Sequence, residues 1–430
     1  MKLPWDTEID TPATVAVIGG GAIGIEAALY ARFLGYYVVI VEGAKMAQSW
    51  RRNGVRPMIT SFGNAASPLG LAALEAHRPG IPLPSAEEHL SGIAFAEKYL
   101  VPVAKTDLFV DCVHVHSRVA TVSRVEARRE SIADIQDRAD MEFRLAIHSK
   151  NRGWFAERAD IILDCSGVSL PRAMGPGGGL AMGELELSDL IAINTPDILG
   201  KERNHYAGSR IFLAGTSQSA LLNLCALNEL IGQEPLTRVT WMVPMEPNMT
   251  EPIQWLDRLR AVSEEMATLC ENELLAEALS GTLSGVVTLP ALGIERITNS
   301  PSGLSLRVQV NEDSTLDVEC DAILSNMGME PDWDHASPLR LGASSVLDRP
   351  AFEFASFSSP SETQGGLDEL QLAESILTME PHYYVLGSKS HGLGHDRFSL
   401  AQGHQQIRSA FALIGGRPEL DLYSTIHRPG

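Results

Sequence analysis

The sequence predicts an α/β chain with two doubly wound, dinucleotide-binding-type units, and three stretches carry that prediction. Residues 15–42 read VAVIGGGAIGIEAALYARFLGYYVVIVE: an apolar run that ends in glycines, an Ala-rich amphipathic segment, then a second apolar run closed by an acid. Residues 210–232, RIFLAGTSQSALLNLCALNELIG, repeat the order of strand, small-residue turn and helix. Residues 382–414 bring another apolar strand, HYYVLG, through a Gly-rich loop into a long helix. Strands alternating with helices at this spacing form parallel sheets with helices on their faces.

In the first stretch each small residue has its own reason. Gly19 takes the sharp turn off the strand, Gly21 removes the Cβ that would keep a pyrophosphate from the backbone, and Gly24 lets the helix lie close on the sheet. Ala22 and Ile23 open that helix, whose unpaired N–H groups and positive dipole end attract phosphate without a basic side chain. Glu42, followed by Gly43, stands at the tip of the second strand. There it can accept hydrogen bonds from both hydroxyls of an adenosine ribose and repel a 2′-phosphate, which predicts FAD or NAD at this site. In the second stretch Gly215, Ser217 and Ala220 take the three glycine positions, with Gln218 and Ser219 between them. The strand at 237–243 is followed by Pro244, Met245 and Glu246, with no arginine for a 2′-phosphate, so NADH and NADPH both stay open.

Composition narrows the class. A chain of 430 residues exceeds one ordinary core and implies about two or three domains. Its 34 basic and 54 acidic residues give a formal charge of −20, which argues against nucleic acid or an anionic membrane as partner. No run of about twenty apolar residues spans a bilayer, and the start MKLPWDTEIDTP lacks the apolar core of a signal peptide, so the expectation is a cytoplasmic protein. Cys112, Cys165, Cys225, Cys270 and Cys320 stand singly, each read as a small buried hydrophobe, with no CxxC and no metal-ligand spacing.

Along the chain, residues 43–70 read as a long connection in which Trp50, Arg51, Arg52, Ser61 and Asn64 are candidates to line a flavin ring. A helix is expected from Ser85 to about Leu100, then short strands over 108–115, 118–126 and 143–148, with SIADIQDRAD as a polar insertion. His114, His116 and His148 fall on these strands and lack partners for a metal. ADIILDCSG, residues 159–167, ends an apolar strand at Ser166 and Gly167, a turn small enough to pass close to a cofactor. LPRAMGPGGGL, residues 170–180, reads as a hinge between domains. A helix with Trp255, Leu259, Val262, Met266 and Leu269 as its apolar stripe is expected over 251–279. Strands follow over 286–297, 304–310 and 316–324, then loops over 333–369. Gly387, Ser388 and Lys389 begin the loop before the last helix, a second cradle for an anion or flavin, and His391 and His395 lie in the same loop.

Taken in order, GGGAIG with Glu42, ILDCSG, GTSQSA and VLGSKSHGLG make the chain similar to the two-dinucleotide-domain flavoproteins. The resemblance implies a three-layer FAD domain formed by residues 1–182 and 322–430, with a nicotinamide-nucleotide domain at 183–321 inserted between them. It implies hydride transfer from NADPH or NADH to the flavin. Within that group GTSQSA resembles the GxGQSA of N-hydroxylating flavin monooxygenases, HGLGHDRFSLA resembles their segment near the flavin, and Trp50 falls where related monooxygenases often carry tryptophan. Ser217 for glycine, SNMGMEP for the more usual ATGY, and the lack of FxGxxxHxxxF/Y are departures. The expected function is an FAD-dependent monooxygenase acting on a small-molecule substrate, with a homodimer compatible with it. A flavoprotein reductase without oxygenation, and a flavin-binding protein with a silent second site, are the alternatives.

Overall fold

The structure, a computed structural model, describes residues 3–52, 54, 58, 60–131, 134–245, 272–344, 349–350, 369–391 and 398–426. The chain divides into two compact units, one of residues 1–51, 60–169 and 330–430, the other of residues 52–59 and 170–329.

The first unit is built on a parallel sheet in the order Tyr383–Val385, Ile161–Asp164, Thr14–Ile18, Tyr37–Val41, Val113–His114. Ala16 and Ile18, and also Val15 and Val17 on the other face, are buried, as they must be when both faces of a parallel sheet are covered. One face packs on an antiparallel sheet of Ser117–Arg124, Phe143–Ser149 and Gly153–Ala159, which contributes Val122, Phe143, Leu145 and Ile147 to the shared core. Helices Ala22–Phe33 and Leu400–Ile414 cover the other, with the rings of Tyr30 and Phe411 stacked at 5.1 Å. The result is three layers. Register places the site: Ile18 stands opposite both Val41 and Asp164, and Asp164 opposite Val385. The turns at Gly19, Cys165–Gly167 and Gly387 therefore leave the same edge of the sheet side by side.

A buried ion cluster pins the approach to the edge strand. Glu380 accepts from Arg124 Nε at 2.7 Å, from Arg138 Nε at 2.9 Å and Nη2 at 2.8 Å, and from the Arg340 amide at 2.9 Å. Arg124 also donates to the carbonyls of Met141 and Pro381. Arg138 belongs to the helix Ile135–Ala139, inside the stretch expected to be a polar insertion. One arginine there is core.

The second unit repeats the plan. Its parallel sheet runs Val286–Ala291, Arg238–Pro244, Arg210–Ala214, Ala322–Ser325, Ile191–Ala192. Helix Gln218–Gln233 buries Leu221, Leu224, Leu227 and Leu230 in a core with Ile211, Leu213 and Trp241. An antiparallel sheet of Gly293–Ser300, Gly303–Gln309 and Thr315–Cys320 shares the other core with Phe212, Met242 and Ile323.

Several local expectations are corrected. The helix foreseen from Ser85 starts at Gly92, where the Ser91 hydroxyl accepts from the Ala94 amide. It widens into a π turn over Ala96–Leu100 ahead of Pro102, whose missing N–H and ring forbid the ordinary bond. At the end of the long connection a helix, Pro68–His77, begins, with Pro at its first turn and Ser67 as cap. The strand expected over 286–297 is two strands, because Gly293, at φ 154° and too close to Gly175 and Pro176 for a Cβ, lets the chain change sheets. Strand Gly153–Ala159 was not foreseen, since its alternation is carried by half-exposed residues. The 108–115 strand shrinks to Val113–His114 after a helical turn at Asp107–Phe109. Of the helix expected over 251–279, Asn272–Ser280 is seen and the apolar stripe lies outside the described residues, as does most of 345–368.

Glu26, on the first helix, is buried and accepts from the Ser67 hydroxyl at 2.7 Å. Burial pushes its carboxyl from 4.5 up to about 7, against the pull of the Ser67 and Tyr423 hydroxyls. A raised acid stabilises the fold below its unfolded value and loses that contribution as pH rises through the folded one. Relative to Glu26→Gln, the wild-type protein is expected to lose about 3 kcal/mol between pH 5 and pH 9 in urea unfolding. Parallel pH dependences in the two proteins would refute this.

Candidate functional site

At the shared sheet edge of the first unit, Gly19 sits at φ 102° and donates its N–H to Val41 O at 2.8 Å. A Cβ on it would lie 2.6 Å from the Cys165 carbonyl oxygen, and one on Gly24 would overlap the Gly19 carbonyl oxygen. Both glycines are forced by backbone packing. Gly21 is different: it is the N-cap of helix Ala22–Phe33, extended, with no side chain capping that helix. A Cβ there would meet only Ser49 Oγ, at 3.5 Å, and one on Gly43 would meet nothing within 4 Å. The first helical amides, at Ala22, Ile23 and Gly24, thus have no side-chain cap, which is the arrangement a phosphate completes. Glu42 stands just past its strand with Oε2 accepting from the Gly20 amide at 2.6 Å and Oε1 from the Ala44 amide at 2.7 Å. Each carboxylate oxygen keeps a second lone pair, so two backbone N–H groups aim the group without exhausting it. The residues fit an adenine dinucleotide with its pyrophosphate at Gly21 and its ribose at Glu42.

The neighbouring crossings hold a buried polar network. Gly167 and Gly387 both have positive φ, 68° and 79°. The Ser166 hydroxyl donates to Asp164 Oδ1 at 2.6 Å. Lys389 Nζ donates to Asp164 Oδ2 at 2.8 Å, to Ser166 Oγ at 3.1 Å and to Asp332 O at 2.7 Å. Tyr383 OH donates to Asp164 Oδ2 at 2.7 Å, and His335 Nε2 lies 3.1 Å from the same oxygen. Burial alone would raise the Asp164 carboxyl, but Lys389 and His335 hold it well below its ordinary value. Gln406, from the last helix, accepts the Gly387 amide at 2.7 Å and donates to Ser390 Oγ at 2.7 Å, which fixes the loop from the other side. Ser388, between these buried residues, is half-exposed. His391 meets the ring of Phe398, and His395 lies outside the described residues.

The other sequence candidates make local contacts or face solvent. The Trp50 ring packs edge-on to Phe95 at 5.1 Å, and Arg51 pairs with Glu97 at 2.8 Å. Arg52 and Asn64 are exposed, and Ser61 precedes the short helix Phe62–Ala65 without capping it through its side chain. His114 pairs with Glu157 at 3.2 Å, and His148 packs on Trp154. Cys112, Cys165 and Cys320 are free and buried, whereas Cys225, expected to be a buried hydrophobe, is disulfide-bonded. No group of three metal-ligating side chains occurs among the described residues.

The second unit has the same turn with one change. Gly215 sits at φ 104°, a Cβ on it would overlap the Asn326 carbonyl oxygen, and its own carbonyl accepts from Trp241 Nε1 at 2.9 Å. Asn223 Nδ2 donates to Asn326 Oδ1 at 2.8 Å behind the turn. Ser217, however, caps the helix itself: its hydroxyl accepts from the Ala220 amide at 3.4 Å, where the first unit has a bare Gly21. Gln218 is exposed and Ser219 half-exposed, with Ala220 packed inside.

Searches by sequence found no matching family model and no matching curated protein. By structure the chain is similar to bacillithiol disulfide reductase Bdr (YpdA) from Bacillus cereus, at 16% identity and TM-score 0.59, covering 94% of this chain and 99% of that one. It is similar to the Kutzneria sp. 744 ornithine N-hydroxylase KtzI, solved with reduced FAD, NADP+ and L-ornithine, at 12% identity and TM-score 0.58, covering 94% and 99%. The cadaverine monooxygenase DfoA from Erwinia amylovora, solved with FAD, aligns at 14% identity and TM-score 0.58 over 98% and 97% of the two chains. The chain has the two-dinucleotide-domain flavoprotein fold. The sequence predicts both glycine turns, and the chain makes them at Gly19 and Gly215; the sequence does not single out Asp164, His335, Tyr383 or Gln406. The signal for the first of these was legible: an aspartate closing the apolar strand Ile161–Asp164, in which every residue is buried, must be met by a cation or several donors.

Proposed function

We propose that the chain is an FAD-dependent oxidoreductase whose flavin is reduced by NADH or NADPH and which acts as a flavin monooxygenase on a small molecule. The observation that carries this reading is the uncapped helix start at Gly21 beside a Glu42 carboxylate aimed by two amides. Gly19, Gly21, Ala22, Ile23 and Gly24 would hold the pyrophosphate, Glu42 the ribose, and Ser166, Gly167, Gly387 and Ser388 the flavin end. Bound FAD would supply the two-electron chemistry. The chain's own part is to bind, orient and enclose. Gly215, Ser217, Gln218, Ser219 and Ala220 would receive the nicotinamide nucleotide. The proposed setting is the cytoplasm, and no helix among the described residues is long and apolar enough to cross a membrane.

Cys165 does not offer a thiol relay at the flavin. Cys165 lies behind Gly19, buried, and burial with the Asp164 charge pushes its thiol well above the ordinary value. The Ser217 cap favours one second reading, a flavin-binding protein whose second unit takes no nucleotide.

The visible spectrum of purified protein tests the cofactor. Anaerobic mixing with NADH and NADPH tests the hydride route, which fails if neither bleaches the flavin within minutes. Oxygenated product from an offered amine or sulfide distinguishes a monooxygenase from an oxidase that yields only peroxide. Glu42→Arg removes charge-assisted hydrogen bonds worth about 1.5–3 kcal/mol, so FAD affinity is expected to fall about 10- to 100-fold. Unchanged flavin content after gel filtration of that variant would contradict the role of Glu42.

A further inference from the structure

We propose that Lys389 is a positioning residue: through Asp164 its buried ammonium fastens the turn at Ser166–Gly167 to the loop at Gly387–Ser390, and it leaves ligand contact to the backbone and Ser388. Sequence alone placed Lys389 among the cofactor-binding residues. Its side chain is fully buried, and each of its three ammonium hydrogens has an oxygen to meet, on Asp164, Ser166 and Asp332. The ring of Trp333 closes the remaining side, its centroid 4.2 Å from Nζ. A lysine so enclosed has no donor left for a phosphate or a flavin oxygen.

Asp164 is as fully engaged. Oδ1 accepts the Ser166 amide at 3.1 Å and the Ser166 hydroxyl, while Oδ2 accepts Lys389 and Tyr383 and faces His335. The two loops leave neighbouring strands, and one backbone bond, from the Leu386 amide to Asp164 O at 2.9 Å, joins them just before they part. Beyond that bond, among the described residues, the Lys389 ammonium joins them through Asp164 and the Ser166 hydroxyl. The pair therefore sets the distance between Gly167 and Ser388, where a Cβ on the glycine would already lie 3.5 Å from Ser388 Oγ. Breaking one half of a buried pair strands the other charge, whereas removing both halves is far better tolerated. That difference separates a fastening role from simple stability.

The test compares wild type, Lys389→Met and the double variant Asp164→Asn/Lys389→Met by three measurements. In cofactor-free protein, hydrogen exchange is expected to quicken together in residues 165–168 and 386–390 of both variants, because the two loops lose one shared tie. Thermal stability is expected to drop in Lys389→Met and to recover towards wild type in the double variant. FAD affinity, which rests on the cofactor reading above, is expected to stay at least about tenfold weaker in the double variant despite its restored stability. Exchange that changes only in residues 386–390, or an FAD affinity that returns with stability, would overturn the proposal. Wild-type protein that takes up no FAD would overturn the cofactor reading, and the exchange measurement would still decide whether Lys389 joins the loops. If Lys389→Met does not fold, the double variant carries both comparisons.

Discussion

Gly24→Ala is expected to destabilise the first unit by about 3 kcal/mol or more, whereas Gly21→Ala is expected to leave the ligand-free fold intact and remove cofactor binding. The two residues stand three apart in one motif, yet their surroundings differ. A methyl at 24 would overlap the Gly19 carbonyl oxygen, which is backbone and is itself fixed by the Gly19 amide bond to Val41. The helical gain of about 1 kcal/mol from replacing glycine by alanine does not offset that displacement. At 21 the methyl would meet only Ser49 Oγ at 3.5 Å, an ordinary contact on the side left open for a ligand. Urea unfolding of the cofactor-free proteins and FAD titration separate the outcomes. A Gly21→Ala protein that binds FAD as tightly as wild type would show that the pyrophosphate does not lie against this backbone.

Glu380→Gln should cost about 3–5 kcal/mol, because it leaves two buried guanidinium groups facing a neutral amide. Arg124 and Arg138 are 3% and 0% exposed, so neither can turn to water without unpacking its surroundings. The same carboxylate also accepts the Arg340 amide, so one oxygen atom pair ties three segments to the approach of the strand Tyr383–Val385. Arg118→Ala is the control. Its partner Asp332 lies 2.9 Å away, but the arginine is 75% exposed, and an ion pair in water contributes about 0–1 kcal/mol. If Glu380→Gln loses less than about 1 kcal/mol in urea unfolding, the cluster is not the anchor described.

The fold was legible where one local rule decided the outcome. Glycines forced by close backbone approach, at 19, 24 and 215, and strands of continuous apolar residues both announce themselves at short range. What escaped depended on partners far along the chain. Arg138 looked like part of a solvated insertion because the carboxylate that buries it is 242 residues away. Lys389 reads as a cofactor contact from its place in a Gly-rich loop that feeds a helix start, whereas Asp164, which its ammonium meets, lies 225 residues earlier. The split of 286–297 into two strands needed the crowding of Gly293 against Gly175 and Pro176, which no window of neighbouring residues contains.

The bare cap at Gly21 and the self-capped start at Ser217 also bear on timing. On the proposed reading, the first molecule meets amides that no side chain caps, so its departure would exchange those bonds for bonds to water. The second must compete with a hydroxyl already in place. The expected division of labour is a prosthetic group that stays through many cycles and a visiting donor that comes and goes in each.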